Sequence, residues 1–166
     1  MSGFYLDLAW AVAVGCIATG FMDLGALGRR WLFGSRSLDW ALVGRWLGHL
    51  GRGQLVLARP GEAAPIRGER LLGWGFHYGV GIALAGLLRS VLGAQAIEAP
   101  QALPIISFGL VTVLLPMLTL QPGLGLGLAA RLAPAPWAAR RASLLTHFTF
   151  GLGLYLGAVG LAVALS

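Results

Sequence analysis

Four long apolar runs dominate the chain, and their lengths are the first feature that predicts its architecture. They extend over residues 6–27, 71–93, 102–120 and 144–165. Each contains about 20 residues, which is the length that an α-helix needs to cross the hydrocarbon core of a bilayer. The pattern therefore predicts an all-α protein, a polytopic membrane four-helix bundle that forms one integral membrane domain over residues 1–166.

A fifth apolar segment, residues 38–50, lies between the first and second runs and is too short to cross a bilayer. On a helical projection, Trp40, Val43 and Trp46 lie on one broad arc. Ser37 suits the N-cap position of such a helix, and Asp39 suits its first turn. The segment predicts a short interfacial amphipathic helix, with its tryptophan rings at the membrane surface.

Small residues and prolines predict how the spans pack and bend. Small residues recur four apart in the second and fourth runs, at Gly75, Gly79, Ala83, Gly153 and Gly157. This spacing favours close approach of helix backbones in a membrane. In the third run, Pro116 has no N–H to donate to the carbonyl of Thr112, so we expect a kink or local unwinding there.

Composition and charge support a membrane location and predict an orientation. Hydrophobic residues make up 57% of the chain and charged residues only 11%, and all twelve basic residues are arginines. Eight of them lie in residues 28–70 and three in residues 121–143, whereas Arg89 is the remaining one. The positive-inside rule then predicts that both segments are cytoplasmic loops of a bacterial inner (plasma) membrane protein, with both termini on the periplasmic side.

The same composition argues against several other classes of protein. The arginines lie between apolar runs, where positive charge sets topology, and they form no basic stripe with interleaved aromatic residues, so we expect no nucleic-acid partner. Cys16 is the only cysteine, which excludes an intrachain disulfide and a zinc site built on a cysteine pair. Residues 1–6 lack the basic region of a signal peptide, so we expect the first run to be a retained helix.

Ionisable side chains enter three of the four runs at a similar predicted depth. Asp23, His77 and His147 each lie four to six residues from the cytoplasmic end of a run, or about 6–9 Å into the membrane. An ionisable group that faces lipid costs roughly 3 kcal/mol, so we expect these groups to face the bundle interior. The candidate ligand-binding or catalytic residues at this level and just above it are Asp23, Arg45, His49, Glu69, His77, Tyr78, Gln121 and His147.

Several functions remain open for this predicted cluster. Asp23, His77 and His147 could bind a metal ion such as zinc or iron, and the two histidines could bind a haem. Alternatively, the cluster and the arginine-rich rim could bind an anionic lipid headgroup or a small hydrophobic ligand, and a homo-oligomer could transport it. In the third interpretation the protein is structural or accessory, and the polar groups only hold the helices together.

Five short motifs carry a resemblance to a known family. They are Met22-Asp23-Leu24, residues 42–49 (LVGRWLGH), residues 68–78 (GERLLGWGFHY), residues 120–123 (LQPG) and residues 143–147 (SLLTH). Together they resemble a bacterial family of uncharacterised integral inner-membrane proteins, catalogued only as a domain of unknown function. The resemblance covers most of the chain and implies a polytopic membrane protein, but it implies no particular activity.

Overall fold

The computed structural model describes residues 2–34 and 38–165, and within these residues it contains helices and no β-strand. The helices are α1 (Ser2–Phe33), α2 (Trp40–Leu50), α3 (Glu69–Leu92), α4 (Gln95–Glu98), α5 (Ala102–Val111), α6 (Gln121–Gly123) and α7 (Pro136–Leu165). A π-helical turn, Pro116–Leu120, precedes α6, and a 3-10 turn, Leu128–Ala130, follows it. The predicted all-α class is confirmed.

Four helical stretches are long and apolar enough to cross a membrane. They are Gly3–Phe33, Glu69–Leu92, Ala102–Gly123 and Pro136–Ala164. They coincide with the four predicted runs, although the first and fourth helices are longer than predicted. Pro136 begins α7 two turns before the fourth run, as proline can because a first-turn residue needs no N–H donor. The four stretches indicate a multi-pass membrane protein.

The chain forms two compact units. Unit 1 consists of residues 1–36, 78–111 and 145–166, and unit 2 consists of residues 37–77 and 112–144. Unit 1 therefore contains most of the spanning helices. Unit 2 contains α2, the loop of residues 51–68, the first turns of α3 and the second half of the third span.

Unit 1 is held together by apolar side chains and by glycines at helix contacts. Its core residues are Trp10, Ala11, Val14, Ala18, Leu84, Ala85, Leu88, Ala96, Ile105, Phe150, Leu154 and Ala158. A Cβ atom on Gly15 would lie 2.6 Å from the Cα of Ile82, and one on Gly153 would lie 2.7 Å from the Cα of Ala18. Helix α1 thus packs closely on both α3 and α7, as small residues permit.

The predicted packing role of Gly153 is confirmed by this contact, but the prediction for Gly75 and Gly79 is wrong. No described atom would lie within 4 Å of a Cβ on either of these two glycines. The close contacts of α3 involve Gly73 and Gly81 instead. The four-residue spacing of Gly75 and Gly79 marks one face of α3, but it does not show whether that face meets another helix.

The third span is interrupted where Pro116 predicts it. Helix α5 ends at Val111, and the Thr112 carbonyl accepts a hydrogen bond from the N–H of Leu115 at 3.0 Å. The residues from Pro116 to Leu120 then form a π-helical turn, which Gln121 closes by donating its N–H to the Pro116 carbonyl. The chain thus accommodates the missing N–H of Pro116 with a tight turn before the proline and a wider, π-helical turn that begins at it.

Helix α2 begins two residues later than predicted. Asp39 is its N-cap residue, since the Asp39 side chain accepts a hydrogen bond from the N–H of Ala41 at 2.9 Å. Asp39 therefore precedes the first turn instead of lying within it. The residue predicted as the N-cap, Ser37, lies outside the described residues.

Candidate ligand site at the start of α3

Helix α2 packs directly on the first turns of α3, and glycine makes this contact possible. A Cβ atom on Gly44 would overlap the backbone of Glu69, and one on Gly73 would overlap the carbonyl of Trp40. The side chains of Val43 and Trp46 are buried in the core of unit 2. The short amphipathic helix predicted from the sequence is present, but its apolar side packs against protein. The prediction that its tryptophan rings lie at the membrane surface is therefore wrong for Trp46.

A bidentate ion pair fixes the same two helices and the loop between them. Arg45 donates through Nε to Glu69 Oε2 at 2.8 Å and through Nη2 to Glu69 Oε1 at 2.7 Å. Its Nη1 donates to the carbonyls of Pro60 at 3.1 Å and Ala63 at 3.2 Å. The hydrogen bonds to Glu69 raise the pKa of the Arg45 guanidinium above its ordinary value. The side chains of Arg45 and Glu69 therefore hold α2, α3 and the loop of residues 51–68 together.

The candidate His49 is also used to hold the loop of residues 51–68. Its Nε2 lies 3.0 Å from the carbonyl oxygen of Ala64, and its Nδ1 lies 2.7 Å from Oε1 of Gln54. Nearby, the Trp46 indole N–H donates to the Leu55 carbonyl at 3.0 Å. These contacts tie both ends of the loop to α2, so the longest predicted cytoplasmic loop has a defined structure.

Aromatic rings surround His77 in unit 2. The Trp40 ring stacks on the His77 imidazole with centroids 3.8 Å apart and an interplanar angle of 24°, and Trp74 meets it edge-on at 5.7 Å. His77 is only 6% exposed, whereas Trp74 is 38% exposed. The predicted burial of His77 is confirmed.

An open apolar groove of about 580 Å³ lies beside these contacts. It is lined by Leu47 from α2 and by residues at the start of α3, namely Gly68, Leu71, Leu72, Gly75 and Phe76. Leu71 is 79% exposed and Leu72 is 44% exposed. Two exposed arginines, Arg67 and Arg70, each immediately precede a lining residue, and neither makes a side-chain hydrogen bond or ion pair with another described residue.

Other candidate residues are paired within unit 1. The Tyr78 hydroxyl donates to Asp23 Oδ2 at 3.3 Å. On the same helix as Asp23, Arg29 donates to the Thr146 hydroxyl of α7 at 2.9 Å. His147, also on α7, lies with its ring centroid 6.5 Å from that of Phe150. Asp23 and Tyr78 are therefore brought together as a pair between α1 and α3.

Gln121 lies in α6 and is 8% exposed. Its amide Nε2 donates to the Ser143 hydroxyl at 3.0 Å, while its buried Oε1 accepts no hydrogen bond from another described residue. Burying an acceptor without a donor costs free energy. This oxygen is therefore available to accept a hydrogen bond from water or from a ligand.

The metal hypothesis gains no support from the geometry. Among the residues that the structure describes, no three His, Cys, Asp or Glu side chains are grouped so that they could hold a metal ion. The set of Asp23, His77 and His147 therefore stays a prediction, as does the haem alternative.

The groove carries no signal of its own in the sequence, because its lining residues, among them Leu47, Leu71 and Phe76, belong to the apolar segments. Trp40 was placed on the apolar face of α2, but the sequence could not show that it stacks on His77.

Comparison with known proteins gives a family and no close relative of known activity. No curated protein and no solved structure matches the chain. A family model described as "Protein of unknown function (DUF2938)" matches residues 12–161. The match covers most of the chain, including all four candidate spans in large part. The protein therefore belongs to the DUF2938 family of proteins of unknown function.

Proposed function

We propose that this protein is a multi-pass protein of the bacterial inner membrane that binds a small amphipathic ligand in the groove between α2 and α3. In this proposal the loops of residues 28–70 and 121–143 are cytoplasmic, and both termini are periplasmic. Eleven of the twelve arginines lie in these two loops, which supports that orientation.

The observation that carries the proposal is the apolar groove with a fixed frame. A close glycine contact and the Arg45–Glu69 ion pair hold α2 against α3, so the groove is formed before a ligand arrives. Preformed concave apolar sites with a few polar groups at their edge are typical of small-molecule sites. The volume of about 580 Å³ suits a segment of acyl chain or a compact hydrophobic molecule.

Binding fits the polar residues better than catalysis does. Arg45, Glu69 and His49 direct their hydrogen bonds to each other's helices and to the loop of residues 51–68. A general acid or base must instead reach a substrate atom with its own proton-transferring group. These residues therefore support the proposal as the frame of a binding site.

The groove can be filled without disturbing the protein. A Cβ on Gly75 would meet no described atom within 4 Å, so the Gly75→Leu variant should fold normally and place its side chain in the groove. Gly160→Leu is the matched control, because Gly160 is a helical glycine of α7 that is equally open and does not line the groove. Native mass spectrometry in a neutral detergent would count dioleoyl phosphatidylcholine molecules bound to each variant.

We expect the wild-type protein and Gly160→Leu to retain one more tightly bound lipid than Gly75→Leu. Both substitutions replace an open helical glycine by leucine, so a difference between them reports on the groove itself. Equal lipid retention by all three proteins would show that the groove is not a binding site.

A further inference from the structure

We infer that Arg29, where α1 packs on α7, binds a phosphate group at the membrane interface, supplied by a lipid headgroup or by free phosphate. This inference is independent of the groove between α2 and α3. Three observations carry it: the fixed position of the guanidinium group, its lack of a counter-charge, and its level along α1.

The Arg29 side chain is held in place by hydroxyl groups of α7. Its Nη2 donates to Thr146 Oγ1 at 2.9 Å, and its Nη1 donates to Thr149 Oγ1 at 3.5 Å. Gly25, one turn earlier on α1, lets Thr149 approach, because a Cβ atom there would lie 2.8 Å from Thr149 Cγ2. These contacts fix the guanidinium group between two helices of unit 1.

The same contacts leave most of the guanidinium donors available. A guanidinium group has five N–H donors, and the two threonines use only two of those on Arg29. Arg29 is half-buried, and none of its nitrogens is a buried atom that lacks a partner, so its remaining N–H groups can be reached from outside. Arg45 shows what such donors can bind, since its Nε and Nη2 donate to the two carboxylate oxygens of Glu69.

The charge of Arg29 is not neutralised by any carboxylate of the described residues, because it makes no ion pair with one. Asp23 lies about 1.7 turns earlier on α1 and accepts a hydrogen bond from Tyr78 of α3. Helix α7 supplies no partner, since the chain contains no Asp or Glu after Glu98. The threonine hydroxyls orient the guanidinium group without neutralising it, so a bound anion would supply the missing counter-charge.

The level of Arg29 along α1 matches that of lipid phosphates. Helix α1 has 32 residues, or about 48 Å, so when it is centred in a hydrocarbon core about 30 Å thick it extends roughly 9 Å beyond each face. Arg29 lies about 6 Å before the end of α1 at Phe33. Its guanidinium group is therefore expected just outside the hydrocarbon core, where phosphate groups are available to its planar donors.

The test compares two lipids that differ only by a phosphate group. Dioleoyl phosphatidic acid and dioleoylglycerol would each be titrated into the full chain in a neutral detergent, with bound lipid counted by native mass spectrometry. The test variant is Arg29→Gln. The matched control is Arg30→Gln, which removes the same charge from the adjacent, exposed arginine of α1. A third variant, Thr146→Val/Thr149→Val, keeps the charge and removes the two hydroxyl groups that orient it.

We expect the wild-type protein to prefer phosphatidic acid, and Arg29→Gln to lose roughly tenfold in affinity for it, because hydrogen bonds from a charged donor are lost. Arg30→Gln should change this affinity by less than about twofold, since an exposed charge without fixed geometry contributes little. The threonine variant should lose about threefold, because the guanidinium group keeps its charge but not its position. Affinity for dioleoylglycerol should be the same in all of these proteins.

Inorganic phosphate, added as a competitor, identifies the source of the phosphate group. Displacement of phosphatidic acid assigns the site to free phosphate and no displacement assigns it to the lipid headgroup, so either result supports the site. Equal affinity of the wild-type protein and Arg29→Gln for phosphatidic acid would overturn the inference, as would an equal loss in Arg30→Gln. In either case Arg29 would only join α1 to α7. If Arg29→Gln does not fold, Arg29→Lys replaces it, with an expected loss of roughly threefold because lysine cannot form the bidentate contact.

Discussion

At the scale of single residues, the polar groups near the start of α3 contribute more to structure than their sequence suggests. Arg45 makes four hydrogen bonds within 3.2 Å, two to Glu69 and two to loop carbonyls. Glu69 also accepts the N–H of Ile66 at 3.0 Å. By contrast, the Arg59–Glu62 pair in the same loop is solvent-exposed, with 77% and 70% of its side chains accessible. The two ion pairs should therefore differ greatly in their contribution to the stability of the loop.

This difference predicts how the loop responds to loss of each carboxylate. We expect Glu69→Gln to raise the rate of trypsin cleavage after Arg52 and Arg67 roughly tenfold. The partly buried Arg45 guanidinium loses its counter-charge in this variant, so the loop of residues 51–68 becomes exposed to the protease. Glu62→Gln should change the rate by less than about twofold, since exposed ion pairs contribute little. Both variants keep every arginine, so the cleavage sites are unchanged. Similar rates for both variants would show that the Arg45–Glu69 pair does not hold the loop.

At the scale of helices, the contact between α2 and α3 depends on two glycines that allow the backbones to meet. Gly44 faces the backbone of Glu69, and Gly73 faces that of Trp40. Gly75 lies only two residues further on and is open. The same chemical change at Gly44 and Gly75 should therefore have opposite effects.

We expect Gly44→Ala to destabilise the protein by about 2 kcal/mol or more, because its methyl group would overlap main-chain atoms that cannot rotate away. Gly75→Ala should stabilise it by up to about 1 kcal/mol, through the higher helix propensity of alanine. Thermal unfolding followed by tryptophan fluorescence in one detergent would measure both. A Gly44→Ala protein as stable as the wild type would contradict the close packing of α2 on α3.

The helices also show which features a sequence can predict. The four spans follow from run length, and the break in the third span follows from Pro116, because both depend on local properties of the chain. The ion pair between Arg45 and Glu69 joins residues 24 positions apart, and its partners could be named as candidates but not paired. The groove is less predictable still, since it depends on which face of α3 is left uncovered by α2.

At the scale of the whole molecule, the arginine distribution predicts an orientation that labelling can test. In a Cys16→Ser background, a cysteine placed at the exposed Gly61 should react with a membrane-impermeant maleimide only after the cells are opened. A cysteine at Gln101, in the connection between α4 and α5, should react in intact spheroplasts. The opposite pattern would invert the topology and place the groove in the outer leaflet.

The lengths of the first and last helices have a further consequence for the membrane around the protein. Helix α1 has 32 residues and α7 has 30, so each is about 45–48 Å long, whereas the hydrocarbon core is about 30 Å thick. Each must tilt or extend beyond the acyl region by several turns. The Nε of Arg89 lies 3.0 Å from Oδ1 of Asp7, and this ion pair links the first turns of α1 to the end of α3. We therefore expect the linked helices α1 and α3 to tilt together when the bilayer is thinner. The protein should then tolerate lipids of different chain length.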